Sequence, residues 1–289
     1  MKLITKSDTA ISTVVSAVLI LGLIVTVATI INVSYIPEWK TDAEYSHMTD
    51  VLDDMSDLKS NIDPLSAVDS QTTISVPVKM GGGEIPIVAP GKSSGTLAVN
   101  DYNSGFTVKA NNSSGEVYNS NNNLSNLGSI SYRSNNNYYV DKVFEYENGG
   151  LIIAQGDRSI MKLSPRIIIQ KNDGNISLFI NAININGKRN VISSNNIEEI
   201  QLTSESSQML NKSQNLKEVS ISVNSSYPDA WEQYFNTIAK SEGLVTDDYD
   251  LTSSSGKINF TVTDTSNNIN LTVTKDTFIA RLTPLINLQ

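Results

Sequence analysis

A chain of 289 residues with 39% hydrophobic content can bury a core even after one apolar segment is set aside. Its 21 basic and 30 acidic residues give a formal charge of -9, and no stretch gathers Lys and Arg into the stripe that a phosphate backbone requires. No cysteine is present, which excludes disulfides, thiolate nucleophiles and zinc–cysteine sites. These properties predict a tethered globular protein that does not bind nucleic acid.

The first element is an uncharged, apolar run from Ala10 to Ile36. A secretory signal has a shorter apolar region of about 7 to 15 residues. At about 1.5 Å per residue, a helix over this run is long enough to cross a hydrocarbon core of about 30 Å. We therefore predict a transmembrane helix over residues 10–36, preceded by a basic cytoplasmic head over residues 1–9.

The charges on the two sides of this run predict its orientation. The nearest charged residues are Lys2, Lys6 and Asp8 before the run, and Glu38, Lys40, Asp42 and Glu44 after it. The positive-inside tendency then keeps the N-terminus in the cytoplasm and places the C-terminal part outside. Tyr35 and Trp39 lie where an interfacial aromatic belt is expected on the outer side.

A second helix is predicted over residues 37–64, next to the membrane. Its apolar residues recur at spacings of three and four and form a heptad-like seam of Met48, Val51, Met55, Leu58 and Ile62. Pro37 can be a kink or the first residue of this helix, and Pro64 closes it. The same stretch contains the single histidine, His47, for which we expect a surface or packing role.

Four aspartates lie away from the seam: Asp50, Asp53, Asp54 and Asp57. They could form a cation site or a solvated helix face. The solvated face is favoured because all four come from one helix without loop carbonyls.

After residue 64 the pattern changes to short alternating runs bounded by turn residues, which predicts an extracellular β-rich domain over residues 65–289. The predicted strands are Thr73–Lys79, Gly95–Val99, Tyr138–Tyr146, Leu151–Ala154, Arg166–Gln170, Asn175–Ile185, Val219–Val223, Lys257–Thr263, Asn270–Thr274 and Thr277–Leu282. "RIIIQKNDGNISLFI" is the clearest hairpin, since Asp-Gly favours a positive-φ turn, and "KINFTVTDTSNNINLTVT" repeats the pattern. Short turns between strands predict antiparallel pairing in a sandwich or rolled sheet.

Within this region one helix is predicted in "SSYPDAWEQYFNTIAKSEG", with Pro228 early and Gly243 after its end. Its aromatic face is expected to pack on the sheet, with a ligand platform as the alternative.

The Asn-rich segment Asn100–Asn137 is predicted to form long loops. The glycine run in "MGGGEIP" is expected to be a flexible turn between strands, and "TDDYD" near Asp247 a surface loop rather than a calcium site. The fold class is thus α+β, mainly β.

Asn-x-Ser/Thr sequences after the membrane run are candidate glycosylation sites. They begin at Asn111, Asn112, Asn123, Asn175, Asn211, Asn224, Asn259 and Asn270. Their number is close to what this Asn-, Ser- and Thr-rich composition produces by chance, so the expectation rests on the predicted outside location. No catalytic motif, cofactor site or metal site is recognised, and an enzyme is not expected.

A short charged head, a long uncharged helix and a β-rich domain resemble the archaeal type IV pilin and archaellin class. More narrowly, "AISTVVSAVLILGLIVTVATI", Ile36-Pro37-Glu38-Trp39, "AEYSH" and "APGKSSGTL" resemble a family of uncharacterised archaeal membrane-anchored surface proteins. The pilin resemblance implies that the head is a class III signal, cut near Asp8, Thr9 and Ala10. It also implies that the helix packs in a filament core. Small residues suited to close helix packing are Ser12, Ser16, Ala17, Gly22, Thr26 and Thr29.

Two functional hypotheses follow from different classes. In the first, the protein is a membrane-anchored structural surface subunit that associates with copies of itself or with other envelope proteins. In the second, it is a single-span receptor or adhesin whose β domain binds a carbohydrate, an ion or a neighbouring surface protein.

Overall fold

The computed structural model describes residues 9–65, 71–86, 89–102, 104–254, 256–266 and 268–284. Its helices are α1 (Thr9–Ile30), α2 (Ile36–Leu65), α3 (Asn121–Leu124) and α4 (Pro228–Ser241), and a π-helical turn over Ile31–Tyr35 joins α1 to α2. The first eight strands are β1 (Thr73–Lys79), β2 (Ser94–Val99), β3 (Gly105–Asn112), β4 (Gly115–Asn119), β5 (Ser129–Asn135), β6 (Val143–Glu147), β7 (Gly150–Gln155) and β8 (Arg158–Leu163). The others are β9 (Ile167–Asn172), β10 (Asn175–Asn186), β11 (Asn190–Ser194), β12 (Ile197–Leu216), β13 (Glu218–Asn224), β14 (Tyr249–Ser254), β15 (Lys257–Thr263) and β16 (Ile269–Pro284).

The strands form three sheets, and the fold class is α+β, mainly β, as predicted. The first sheet has the order β1-β12-β16-β10-β9, the second β11-β2-β5-β6-β7-β8, and the third β14-β15-β13-β3-β4. All pairs of these strands are antiparallel except β10 and β16, which run parallel from Ile176 opposite Ile269 to Asn186 opposite Ile279. Because a parallel pair needs a long connection, it brings together segments that short turns alone do not predict.

The first sheet covers two hydrophobic cores with opposite faces at its two ends. In β10 the buried side chains change from even positions, up to Ala182, to odd positions from Ile183 onward. β16 also changes its buried face, from odd positions up to Val273 to even positions from Phe278 onward. Since neighbouring residues of a strand point to opposite faces, one end of the sheet packs on the third sheet and α4, which we call the α4 core. The other end packs on α2 and the second sheet, which we call the α2 core.

The two cores lie at different distances from the N-terminal end of α2. As the chain passes from Lys79 to Gly83, its contacts on α2 move from Asp54 to Glu44, so β1 runs antiparallel to the helix. β12 starts opposite Lys79 and runs back along β1. At about 3.3 Å per residue, a strand as long as β12 spans about 60 Å. The α4 core is therefore at the end of the domain far from α1.

Several predicted elements are confirmed. β9 and β10 form the predicted hairpin, with Asp173 and Gly174 at φ of 48° and 81° in the turn. Both residues adopt positive φ, as a type I′ turn requires. α4 packs as a core element, with Trp231 and Phe235 fully buried, and Phe235 stacks on Phe260 at 4.8 Å. The aromatic face of α4 is therefore filled by packing.

The prediction of long loops over Asn100–Asn137 is wrong, because β3, β4, α3 and β5 lie within it. Phe106, Val108 and Ala110 alternate into the α4 core, and Ile130 and Tyr132 into the α2 core. Polar residues occupy the positions between them, so the composition of the segment conceals an alternation of period two.

Two further strand predictions are corrected by the pairing. "KINFTVTDTSNNINLTVT" is not a hairpin, since β15 pairs with β13 and β14 in the third sheet whereas β16 belongs to the first. The Asp264 carboxylate accepts N–H bonds from Ser266 and Asn268 and shapes the loop that carries the chain between these sheets. The predicted strands Asn270–Thr274 and Thr277–Leu282 are one strand, β16.

The predicted strand Tyr138–Tyr146 begins only at Val143. Its first residues do not join the ladder because their backbone N–H groups bind a carboxylate of α2, as described below. β12 was not expected at all, because its sequence is largely polar and only part of it alternates into a core.

Candidate functional site: the apolar helix and its junction with the β domain

The N-terminal half of the long helix is apolar on every side and unburied. Among the described residues, one helix is long and apolar enough to cross a membrane, and it extends over Thr13–Leu65 near the N-terminus. Side chains around its whole circumference are exposed, for example Leu19 at 68%, Leu21 at 61% and Leu23 at 64%. A helix that exposes apolar residues all round is suited to lipid or to packing with other helices.

The small residues predicted for helix packing lie on α1. Ser16, Gly22, Thr26 and Thr29 fall on one side, within an arc of about 140°, and Ala17 falls on the opposite side. The Thr26 hydroxyl donates to the Gly22 carbonyl at 2.8 Å and the Thr29 hydroxyl to the Val25 carbonyl at 2.7 Å. These hydroxyls are therefore satisfied within the helix.

The predicted processing residues are described only in part. Asp8 lies outside the described residues. Thr9 and Ala10 belong to α1, as does Ser12, but their side chains are outside the description. The processing prediction stays a prediction.

The helix passes Pro37 without breaking. Proline has no N–H to donate to the preceding turn, and its ring crowds the carbonyl four residues earlier. Here the turn over Ile31–Tyr35 widens, the Ile36 N–H donates to the Ile31 carbonyl five residues earlier, and the Thr41 hydroxyl donates to the Pro37 carbonyl at 2.9 Å. A π-helical turn of this kind accommodates the proline inside one helix.

The predicted seam of α2 is confirmed. Met48, Val51, Met55, Leu58 and Ile62 are each at most 2% exposed and pack in the α2 core.

Two of the four aspartates beside the seam dock the helix to β1. Asp50 forms an ion pair with the Lys79 ammonium at 3.0 Å, and the Asp54 carboxylate accepts the Lys79 backbone N–H at 2.9 Å. Asp53 and Asp57 are exposed.

Three polar residues of α2 form a buried clamp where the helix enters the domain. Lys40, Glu44 and His47 are 6%, 1% and 5% exposed and lie on the same face as the seam. The Lys40 ammonium donates to the carbonyls of Gly83, at 2.6 Å, and Gly91. We call these three residues the clamp.

The Glu44 carboxylate is the centre of the clamp. It accepts the backbone N–H groups of Asn137 at 3.0 Å, Tyr138 at 2.8 Å and Tyr139 at 2.7 Å. Hydrogen bonds to a charged acceptor are roughly twice as strong as those between neutral groups, and these three fix the β5–β6 connection to the helix.

His47 completes the clamp. Its Nε2 lies 3.3 Å from the Tyr132 hydroxyl, which donates to the Met80 carbonyl at 3.0 Å. Burial lowers the pKa of His47, because the charged imidazolium loses its hydration. The prediction of a packing role for His47 agrees with this placement.

The glycine run packs against the clamp. A Cβ at Gly82 would lie 2.3 Å from Cγ of His47, and one at Gly83, where φ is +75°, would lie 2.6 Å from Cγ of Glu44. The run does connect β1 to β2 as predicted, but close backbone approach to α2, rather than flexibility, explains the glycines.

A cleft of about 850 Å³ opens beside the clamp, between α2 and the glycine run. Its polar lining includes His47, Asn195 and Asn196, together with the Asp50–Lys79 pair and the Glu84–Lys92 pair at 3.1 Å. Among the described residues, no group of three or more His, Asp or Glu converges in a way that could hold a metal ion. The charged groups of the cleft are joined to one another in ion pairs.

A second buried polar group lies on β6, facing α4. Glu147 Oε1 accepts the Ser225 hydroxyl and the Trp231 indole N–H, both at 2.5 Å. Glu145, two residues earlier on the same face, is 2% exposed, and burial raises its pKa to about 8, with a further increase from the Glu147 charge. Glu147 thus joins the second sheet to Ser225 in the loop before α4 and to Trp231 in α4.

The candidate glycosylation sites differ in exposure. Asn123, Asn175 and Asn224 are exposed, whereas Asn111, Asn112, Asn259 and Asn270 are half-buried. Asn211 is half-buried as well, and its side-chain nitrogen is enclosed.

Among the residues of "TDDYD", the Asp248 carboxylate accepts hydrogen bonds from the Lys171 ammonium at 2.6 Å and from the Val245 N–H at 2.7 Å, so it fixes its own loop.

The profile of a family of unknown function, DUF7289, matches residues 10–275. The chain belongs to the DUF7289 family. Comparison with curated proteins and with solved structures gives no match. The DUF7289 match covers the exposed apolar helix, the clamp, the α4 core and most of the α2 core.

Lys40 and Glu44 were not predicted from the sequence to be junction residues of this DUF7289 chain. Both were interpreted only as charges that flank a membrane span. The signal that could have found them is the spacing of residues 40, 44 and 47, which continues the seam toward the N-terminus. Charged residues on a buried stripe require partners, and here backbone groups supply them.

We expect Glu44→Gln to lower the free energy of unfolding by about 3 kcal/mol, because the amide has one acceptor oxygen and turns an NH₂ group toward N–H donors. The amides of Asn137, Tyr138 and Tyr139 should exchange with deuterium faster in this variant. Glu38→Gln, an exposed carboxylate on the same helix, is the matched control. Equal exchange in the two variants would contradict the assigned role of Glu44.

Glu145→Gln should change the pH dependence of stability. A folded-state pKa near 8, above the ordinary 4.5, means that the folded chain keeps a proton that the unfolded chain has lost. This favours folding below pH 4.5, and the advantage falls by up to about 1.4 kcal/mol per pH unit as pH rises toward 8. The variant lacks this loss, so its free energy of unfolding should increase relative to wild type between pH 5 and 8.

Urea unfolding at several pH values measures this difference, with the exposed carboxylate Glu205→Gln as the control. A difference between Glu145→Gln and wild type that does not change with pH would rule out a protonated Glu145 in the folded state.

Proposed function

We propose that this chain is a membrane-anchored structural surface protein of archaeal type, and that it is a pilin-like filament subunit. One observation carries the proposal: a single continuous helix leaves its first half apolar and exposed and buries its second half in a β domain. Such a division suits a subunit whose apolar half-helix lies in the membrane before assembly and packs against the helices of other copies in a filament afterwards. The resemblance of the layout to the pilin class, with a short charged head, a long uncharged helix and a β-rich domain, supports the second step.

The proposed orientation places the N-terminus in the cytoplasm and the β domain outside. Lys2 and Lys6 precede the apolar run, and acidic residues dominate after it. Lys40, the basic residue closest to the outer end of the run, is buried with its ammonium bound by two carbonyls. An outside location also makes Asn123, Asn175 and Asn224 the sites at which a glycan fits the folded domain without rearrangement.

We propose a non-enzymatic role. The groups of the cleft are engaged in ion pairs and in the clamp, and Glu147 is bonded to Ser225 and Trp231 inside the domain. These interactions give the titratable groups structural partners.

A receptor or adhesin is the second candidate, favoured by the outer face of the third sheet. This face borders a polar concavity of about 810 Å³ near the α4 core, at the end of the domain far from α1. Lys109, Lys257, Ser222, Asn259 and Thr107 are among the residues that line it. Hydroxyl, amide and ammonium groups on a concave surface could bind a carbohydrate or another polar partner.

Helix association distinguishes the two candidates, because only a filament subunit packs its α1 against other copies. The chain has no cysteine, so single cysteines can be introduced to detect this packing. In native membranes or sheared surface material, we expect Thr26→Cys to form disulfide-linked copies on oxidation, since Thr26 lies on the side of the small residues. Ile24→Cys, on the opposite side of α1, is the matched control. The same material should have an N-terminus near Thr9 or Ala10 by mass spectrometry.

An intact Met1 together with monomers for both cysteine variants would contradict the filament proposal. That result would leave the single-span adhesin as the better account.

A further inference from the structure

The sequence contains two Asn-Gly dipeptides, and the fold places them in opposite environments. Asn148-Gly149 forms the turn between β6 and β7, where Asn148 is 2% exposed. Asn186-Gly187 lies at the end of β10, and residues 186–190, which lead into β11, are all exposed. Asparagine before glycine is a chemically labile pair, because a glycine backbone nitrogen can approach the asparagine side-chain amide without hindrance from a Cβ.

The Asn186 side chain is held against the nitrogen that would attack it. The Gly187 backbone N–H donates to Asn186 Oδ1 at 2.9 Å. A carbonyl carbon lies about 1.2 Å from its oxygen, so Cγ of Asn186 is within about 4.1 Å of the Gly187 nitrogen. Bond formation starts from separations of about 3 to 3.5 Å, so only a small movement is needed. The amide nitrogen that would leave, Nδ2, donates to Glu205 Oε2 at 3.4 Å.

The fold itself requires the glycine of this pair. Gly187 has a φ of +138°, and a Cβ at this position would lie 2.7 Å from the Ala280 carbonyl oxygen. Its own carbonyl accepts the Asn100 side-chain N–H at 3.0 Å. These contacts fix the backbone of residue 187 in a conformation and a space that suit only glycine. The residue that makes Asn186 reactive is therefore one that the connection cannot exchange.

The other dipeptide is protected. Asn148 Oδ1 accepts the Ile183 backbone N–H at 3.2 Å, and the Gly149 carbonyl accepts the Lys59 ammonium at 2.8 Å. The reaction needs a base that removes the glycine amide proton and water that completes the hydrolysis, and burial excludes both from Asn148. The chain thus contains a matched internal control for Asn186.

We infer that Asn186 is a site of spontaneous deamidation, at which the folded protein acquires an aspartyl or isoaspartyl residue. The Gly187 nitrogen gives its proton to water or hydroxide and forms a bond to Cγ of Asn186. The bond from Cγ to Nδ2 breaks and ammonia leaves, which closes a five-membered succinimide ring. Water then opens the ring at either carbonyl. The inference does not depend on the proposed membrane anchorage.

The modification would change charge and backbone at a junction between sheets. The connection after Asn186 joins β10 of the first sheet to β11 of the second. Either product places a new carboxylate near Glu205, where like charges repel. The isoaspartyl product also adds one atom to the main chain before Gly187, whose carbonyl is bonded to Asn100.

Peptide mass spectrometry on the full chain in phosphatidylcholine and phosphatidylglycerol vesicles tests this inference. Samples aged for several weeks in mildly alkaline buffer are digested under acidic conditions, which suppress further reaction, and isoaspartate is quantified with an isoaspartyl methyltransferase. The same measurement in urea gives the reactivity of both dipeptides without the fold. Asn186→Gln is the control that removes the site and retains a side-chain amide.

We expect Asn186 to convert at least about tenfold faster than Asn148 in the folded chain, because a buried turn reacts only when it opens locally. In urea the two rates should become similar, and the Asn186→Gln variant should lose most of the isoaspartate. If Asn186 is as stable as Asn148 in the folded chain while both convert in urea, the fold protects both sites and the inference fails. Equal conversion of both sites in the folded chain, or isoaspartate undiminished in Asn186→Gln, would also overturn it.

Discussion

One helix has to satisfy two environments without a break in its backbone hydrogen bonding. Its first half contains no charge and exposes apolar side chains on all sides, whereas its second half buries one face and exposes carboxylates on the other. Pro37 lies at the change between the two halves, and the π-helical turn before it keeps the helix continuous. The position of every other part of the protein relative to α1 depends on this continuity.

The clamp explains how charged residues are tolerated at the point of change. A lysine and a glutamate buried without partners would cost several kcal/mol each. The carbonyls of Gly83 and Gly91 bind Lys40, and three consecutive backbone N–H groups bind Glu44. The Lys40 bonds hold the β1–β2 connection and the Glu44 bonds hold the β5–β6 connection, so the interactions that stabilise the buried charges also fix the domain to the helix.

The first sheet then determines how far the domain extends. Its long strands extend from the α2 core to the α4 core, and the change of buried face within β10 and β16 lets one sheet serve both cores. The polar concave face of the third sheet is therefore presented far from α1. Under the proposed anchorage, this is the surface that neighbouring molecules outside the membrane meet first.

The regular spacing of apolar residues was the reliable signal of secondary structure in the sequence. The seam from Met48 to Ile62 and the β9–β10 hairpin were predictable because burial on one face enforces a spacing that is visible locally. The Asn-rich segment was not, since composition outweighed the alternation of Phe106, Val108 and Ala110. The parallel pairing of β10 with β16 and the partners of Lys40 and Glu44 were also beyond prediction, because they join segments distant in the chain.

The distance between the two halves of the helix tests the central claim most directly. Val18 and Ser60 are both exposed, so nitroxide labels can be attached at Val18→Cys and Ser60→Cys. Double electron–electron resonance in vesicles should give one narrow distribution of label-to-label distances centred at about 60 Å, the length of an unbroken helix between them. A broad distribution, or one centred well below this length, would show that the helix breaks near Pro37 and would contradict the account.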